Sequence, residues 1–219
     1  SGVASGTSAT LIKLGAGTLA LTGTNTYTGD TTISAGTLQL GNGGSTGSVA
    51  SSNIIDNGTL KFNRNDAISL NKVISGTGQV IQDGNGTGVL TLTADNTYTG
   101  QTTISSGGMV VGDGATNGSI FSSTDIVNNA NLTFNRSDAT EYTGNLSGST
   151  SLANLIQSGA GTLTLSNNGS SYLGGISLNN GTVQVNATLA LGPTSNVSAG
   201  MISFNGGAIK FAEGITTDY

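Results

Sequence analysis

Three stretches of this chain repeat one another at a nearly fixed interval, and that repetition restricts the possible folds more than any single residue does. Gly17 to Gly41 reads GTLALTGTNTYTGDTTISAGTLQLG, and Gly88 to Gly112 reads GVLTLTADNTYTGQTTISSGGMVVG. A third, more diverged copy, Gly161 to Val185, reads GTLTLSNNGSSYLGGISLNNGTVQV. Leu21, Tyr27, Ile33 and Leu40 recur as Leu92, Tyr98, Ile104 and Val111, each 71 residues on. Downstream, LKFNRNDA (Leu60 to Ala67) returns as LTFNRSDA (Leu132 to Ala139), 72 residues on. Self-similarity at a fixed period marks an array whose units bury their apolar faces against their neighbours. A catalytic domain has little reason to copy its surface three times, so the expectation is a scaffold whose business is length.

Composition decides whether such a chain folds at all. Only 8% of its 219 residues are charged, 36 are Gly, and Cys, His and Trp are absent. Thr, Ser and Asn stand where a typical domain carries Lys, Glu and Arg. Disordered chains are polar too, but they lack regularly placed β-branched and aromatic residues; here those residues are regular. The net charge of −5, with six Lys and Arg in all, argues against a phosphate backbone or an anionic membrane as partner. Without Cys there is neither a disulfide nor a thiolate metal site. No apolar run approaches the roughly 18 residues of a membrane helix. The opening SGVASGTSAT has no signal-peptide character, and the last residues show no amphipathic barrel strands, so an internal piece of a larger protein is expected.

Short runs with period-2 alternation, bounded by Gly, Asn, Asp or Ser, read as strands. The inward pairs are Leu19/Leu21, Leu38/Leu40, Leu60/Phe62, Leu90/Leu92, Met109/Val111, Leu132/Phe134, Leu163/Leu165, Val183/Val185 and Ile209/Phe211. Single inward positions follow the Tyr-containing turn at Ile33, Ile104 and Ile176. No stretch carries a helical apolar stripe.

Spacing then points to an architecture. Gly17, Gly36, Gly58 and Gly78 lie 19, 22 and 20 residues apart, the length of one coil of a parallel β-helix whose coils stack about 4.8 Å apart. The expected fold is all-β, a parallel β-helix of about nine coils of roughly 20 residues, extending about 40 Å. It forms one segment over residues 1–219, built of three superrepeats (about 14–82, 83–157 and 158–219) of about three coils each. Asn-Gly pairs at Asn42, Asn57, Asn85 and Asn180 keep an antiparallel sandwich as the alternative.

The string GAGTLALTG (Gly15 to Gly23), followed by NTYTG (Asn25 to Gly29) and GTLQLG (Gly36 to Gly41), resembles the passenger-associated repeat of autotransporters, also called the autotransporter-associated β-strand repeat. Asn96 to Gly100 and Gly159 to Leu165 carry it again. The resemblance implies a right-handed parallel β-helix in the secreted or surface-exposed passenger of a large Gram-negative protein, outer-membrane associated through a region outside this chain. It brings no catalytic residues.

Candidate chemistry is sparse. A polysaccharide-active β-helix needs two or three convergent carboxylates, whereas the acids here fall singly in turns, Asp56 before Asn57-Gly58 among them. No catalytic, cofactor-binding or metal-binding residue is assigned, and no cofactor is expected. Arg64/Asp66 and Arg136/Asp138 are the binding candidates. In an extended segment i and i+2 share a face, so each Arg pairs with its own Asp as a corner clamp or binding site, and the two pairs would lie about 14 Å apart, three coils along the axis. The turn Gln82 to Gly88 offers alternating oxygens for Ca²⁺ but lacks a completing acid. Tyr27, Tyr98 and Tyr172 mark equivalent corners, read as rings lying on the neighbouring coil with wet hydroxyls. Thr31-Thr32 and Thr102-Thr103 invite comparison with Thr ladders, but outward positions vary too much to make a flat one.

The reading is a non-enzymatic stalk or passenger segment of an autotransporter-type adhesin, presenting a functional region away from the outer membrane. Its partners are flanking β-helix coils of the same polypeptide, with no nucleic acid and no direct membrane insertion. A self-associating or glycan-binding module is the alternative, and a polysaccharide-active enzyme a further one.

Overall fold

A computed structural model describes residues 3–120, 124–192 and 202–215. Among these residues every regular element is a strand, and every pairing between strands is parallel. The chain winds as a solenoid of about nine turns with three sides. Its first two turns hold β1 (Leu11–Lys13) with β2 (Thr18–Leu21), then β3 (Thr31–Ile33) with β4 (Thr37–Leu40). The third and fourth turns add a third side: β5 (Ile54–Asp56), β6 (Thr59–Phe62) and β7 (Ala67–Leu70), then β8 (Ile74–Ser75), β9 (Gln79–Asp83) and β10 (Val89–Leu92). The fifth holds β11 (Thr102–Ser106) and β12 (Gly108–Val111). Three sides return with β13 (Ile126–Asn128), β14 (Asn131–Phe134) and β15 (Ala139–Tyr142), then β16 (Leu146–Gly148), β17 (Asn154–Gln157) and β18 (Thr162–Leu165). The last turns hold β19 (Ser171–Tyr172), β20 (Gly175–Leu178) and β21 (Thr182–Val185), and then β22 (Ile202–Phe204) and β23 (Ala208–Phe211).

Two sides are long sheets, one of eight strands from β2 to β19 and one of seven from β7 to β22. Two four-stranded sheets, β1-β3-β5-β8 and β15-β18-β21-β23, occupy the remaining side at opposite ends of the rod. Register is strict: Leu19, Leu38, Leu60 and Val80 are successive Cα partners, as are Leu21, Leu40, Phe62 and Gln82. A one-residue slip would turn every apolar side chain of a strand to solvent, and the alternation forbids it. Ile33, Leu38, Leu60, Leu90, Leu92, Ile104, Leu132 and Val183 are fully enclosed, and Leu40, Phe62, Phe134, Leu163 and Leu165 are buried with them in one continuous core.

The outermost turns depart from the expected burial. Leu19, Leu21 and Ile209 are half-buried, and Phe211, at an inward position, is exposed. Their strands have a stacked neighbour on one side only.

The superrepeat does not equal three coils. Thr18, Thr37, Thr59 and Gln79 stack one above another, so three turns end at Gln79, while the 71-residue step from Thr18 runs on to Val89. Val89 belongs to the next side. Each superrepeat is therefore three turns plus one side, and copies of one element rotate around the rod. The strand TLQL, β4, lies in the eight-stranded sheet; its second copy β12 lies in the seven-stranded sheet and its third, β21, in the second four-stranded sheet. The correction follows from turn length: the first three turns take only 19, 22 and 20 residues, so the rest of the 71-residue step goes into one further side.

Candidate functional site

The polar side chains that depart from simple alternation gather at the corners. Where β6 turns into β7, Arg64 donates from Nε and Nη2 to the two carboxylate oxygens of Asp66, at 2.8 and 2.6 Å. Its Nη1 and Nη2 also donate to Gly47 O at 2.8 Å and Ser45 O at 2.6 Å, in the loop of the turn before. Arg136 repeats this between β14 and β15, with Asp138 at 2.9 and 2.8 Å and Gly118 O at 2.8 Å. It also approaches Asp95 Oδ1 at 3.6 Å. The guanidinium depresses the pKa of both Asp66 and Asp138 below the usual carboxylate range, chiefly by hydrogen bonding.

Each Arg–Asp pair thus ties a loop to the turn that follows it. Gly47 and Gly118 are the loop residues that receive the arginine, both at positive φ (108° and 88°). A Cβ at either would fall 2.2 or 2.6 Å from Gly41 N or Gly112 Cα, so only glycine fits. The expectation that the two pairs sit three coils apart on one line is corrected by the rotation. The first occupies the corner from the eight- to the seven-stranded sheet, and the second the next corner round.

The tyrosines also differ from expectation. Tyr27, Tyr98 and Tyr172 are 2%, 0% and 3% exposed, so their hydroxyls are not wet. Tyr27 Oη and Tyr98 Oη each hydrogen-bond a threonine, Thr31 Oγ1 and Thr102 Oγ1, at 2.7 Å. Tyr172 Oη donates to Gly175 O at 3.3 Å and accepts from Asn128 Nδ2 at 3.2 Å. Burial raises the pKa of all three phenols. Each ring is enclosed by the core, and an internal hydroxyl partner offsets its desolvation. Thr31 and Thr102 accordingly face inward with no exposed surface, so only Thr32 and Thr103 of the Thr-Thr pairs face out.

The turn from Gln82 to Gly88 commits its groups internally. Gln82 Nε2 donates to Gly88 O at 2.9 Å, Asp83 pairs with Lys61 Nζ at 2.8 Å, and Ser106 Oγ donates to Asp83 Oδ1 at 3.1 Å. No group of three or more metal-ligating residues occurs among the described residues.

Sequence reading missed a set of inward polar residues. Lys13, Gln82 and Gln157 occupy one position in the three copies, all buried. Lys13 Nζ donates to Leu14 O, Gly15 O and Ala35 O at 2.7–3.0 Å. Gln157 Nε2 donates to Gly159 O and Gly161 O at 2.9 and 3.2 Å. These side chains supply the corner carbonyls with a donor from inside the coil, at Gly88 O and Gly161 O alongside a backbone N–H of the following turn. The signal was present in the aligned strings IKLGAG, IQDGNG and IQSGAG, where a long polar donor precedes each glycine corner.

Asp56 was also misplaced, having been read as a turn acid. It ends β5 facing inward with no exposed surface. Oδ1 accepts from Gly58 N at 3.0 Å, while Oδ2 has no hydrogen-bond partner among the described residues. Burial pushes its pKa up to about 6.

What these corners and ladders build is a three-sided β-solenoid whose chemistry is turned inward to hold its own turns. The passenger-associated-transport-repeat family matches it at residues 11–40, 85–111 and 155–185. Over 69 residues, 32% of this chain, it is 49% identical to the adhesin BmaC autotransporter of Brucella suis biovar 1 (strain 1330). The match spans 2% of that protein's length. No solved structure matches the chain. The chain is a β-solenoid with passenger-associated-transport-repeats, the repeat type of autotransporter passengers.

Proposed function

We propose that this segment is a rigid length of stalk in the surface-exposed passenger of a bacterial autotransporter-type adhesin, holding a functional region away from the outer membrane. The observation that carries this reading is the single unbroken core running the length of the rod beneath outward faces of Thr, Ser, Asn and Gln. A nearest-neighbour stack of this kind resists bending because each turn is pinned to the next by strand ladders and corner clamps. The similarity to an adhesin supports the surface role. A non-catalytic role is supported by the fate of the acids: Asp56 is interior, Asp66, Asp83 and Asp138 are held by Arg64, Lys61 and Arg136. In this reading further coils of the same polypeptide are the partners of the outermost turns, whose inward side chains are covered on one side only.

The rotation sets up the test. Removing one 71-residue unit, Gly17 to Thr87, joins equivalent positions and keeps every strand in register. The parent protein without it should stay folded and shorten by three turns and one side, about 16 Å at about 4.8 Å per turn. Small-angle scattering should give a rod in both forms, shorter in the second. A globular profile, or cleavage of a panel of acidic polysaccharides by the purified segment, would overturn the proposal.

A further inference from the structure

The two corner clamps cover two versions of one pocket, and the difference between them points to a ligand. Beneath Arg136 the space between the loop at Ser119–Ile120 and strand β15 measures about 20 Å³. Beneath Arg64 the equivalent space, between Ser48–Val49 and β7, measures about 210 Å³. The walls correspond position by position: Leu40 with Val111, Phe62 with Phe134, Arg64 with Arg136 and Ser48 with Ser119. The difference lies in what fills the middle. Ile120 and Tyr142 occupy the second pocket, with the Tyr142 ring 6.5 Å from that of Phe134 in a tilted pair. In the first, Val49 and Leu70 stand in their places. The first corner is shorter by one methyl at Val49, carries the aliphatic Leu70 in place of a phenol ring, and has Ser69 where the second has Glu141.

We propose that the pocket lined by Leu40, Val49, Phe62, Ile68 and Leu70 is a binding site for a monocyclic aromatic molecule of phenol or toluene size. Three features of the site carry this. Its floor is the buried Leu40, Phe62 and Leu70, and its mouth is the half-buried Val49 and Ile68 with Gly47, Ser48, Arg64 and Ser69 around them, so the site is a cleft with an apolar floor and a polar rim, open to entry. Its space of about 210 Å³, open on one side, has room for one ring, since an enclosed apolar cavity of roughly 150 Å³ takes up benzene. The ring chemistry is specified internally, because the equivalent pocket is closed by a tyrosine ring set against Phe134, and Phe62 offers the same partner here. Ser48 and Ser69 at the rim leave room for one hydroxyl on the ligand without demanding it. The guanidinium of Arg64 is committed to Asp66 and the loop carbonyls, so it forms a fixed edge and does not select an anion.

The test is a titration of the 219-residue protein with toluene, phenol and, as the non-aromatic control of similar size, 1-butanol, read by amide NMR shifts and melting temperature. The expected result is saturable shifts from the aromatic ligands, confined to amides of Val49, Phe62, Ile68 and Leu70, with a rise in Tm. Leu70→Tyr, which installs the side chain the molecule already uses at the other corner, should abolish the shifts and raise the unliganded Tm. Val49→Ile, a smaller filling, should weaken binding while keeping the fold. No saturable shift in the wild-type protein up to the solubility limit would overturn the proposal. So would equal response to 1-butanol, or binding that survives in a folded Leu70→Tyr variant.

Discussion

Replacing Asp56 by Asn should stabilise this protein at neutral pH and remove much of its pH dependence between pH 4 and 7. The Asp56 side chain is enclosed, with one oxygen bonded to Gly58 N–H and the other unpaired. No Lys or Arg forms an ion pair with it among the described residues, and the ionisable group that faces it is the Tyr98 phenol, whose own pKa the carboxylate helps raise. A rise from 3.8 to about 6 means a penalty on the charged form of about 3 kcal/mol, at roughly 1.4 kcal/mol per pH unit. The unfolded chain loses this proton near pH 4, while the folded chain keeps it to about 6. Stability from this group is therefore full below pH 4 and is lost as pH rises through 6. The second superrepeat shows that an amide sits well at this position. Asn128 accepts from Ala130 N at 3.2 Å and donates to Asn154 O at 3.1 Å and Tyr172 Oη at 3.2 Å. Asp66, Asp83 and Asp138 have lowered pKa values, so their contributions fall away only at more acidic pH, outside this window. Urea melts at pH 4, 5, 6 and 7 should show the wild-type midpoint falling while the variant stays level, with a gain at pH 7 of about 1–3 kcal/mol once reorganisation is allowed for. Parallel pH profiles for the two proteins would refute the argument, since they would mean that Asp56 titrates alike in the folded and unfolded chain.

Two further perturbations probe the interior. Leu92→Asp places a charge at a fully enclosed position of β10 and should cost several kcal/mol, whereas Thr91→Asp on the outward face should cost less than about 1 kcal/mol. Equal shifts in thermal melts would mean the alternation is out of register. Tyr98→Phe keeps the ring but strands Thr102 Oγ1, so a loss of about 1–3 kcal/mol in denaturant melts is expected; no loss would mean the hydroxyl pair contributes nothing.

Much of the scaffold can be read from short strings. Leu38 with Leu40, Leu60 with Phe62 and Leu132 with Phe134 follow from period-2 alternation, and all are buried. The Arg64–Asp66 and Arg136–Asp138 pairs follow from i and i+2 sharing one face, and both form. What failed concerns groups whose burial or partners are supplied by neighbouring turns. Asp56 resembles any turn acid until the neighbouring turns close over it. Tyr98 looks like a surface corner until Thr102 is seen waiting for its hydroxyl. The loop carbonyls that receive Arg64 and Arg136 come from 17 and 18 residues upstream, a distance at which no local pattern operates.

The sequence by itself determined that this is a repeated array of short strands and which aliphatic side chains within each strand face its interior. These follow from the strand's two-residue period and the cost of exposing aliphatic groups, both of which act within one strand. The tertiary structure alone decided how the copies are phased. The number of residues spent at each corner is fixed by how a turn closes onto the one before it, and the sum over three turns leaves one side over. Copies that are alike in sequence therefore face different directions, and two corners written in nearly the same residues differ in whether a ring fills them.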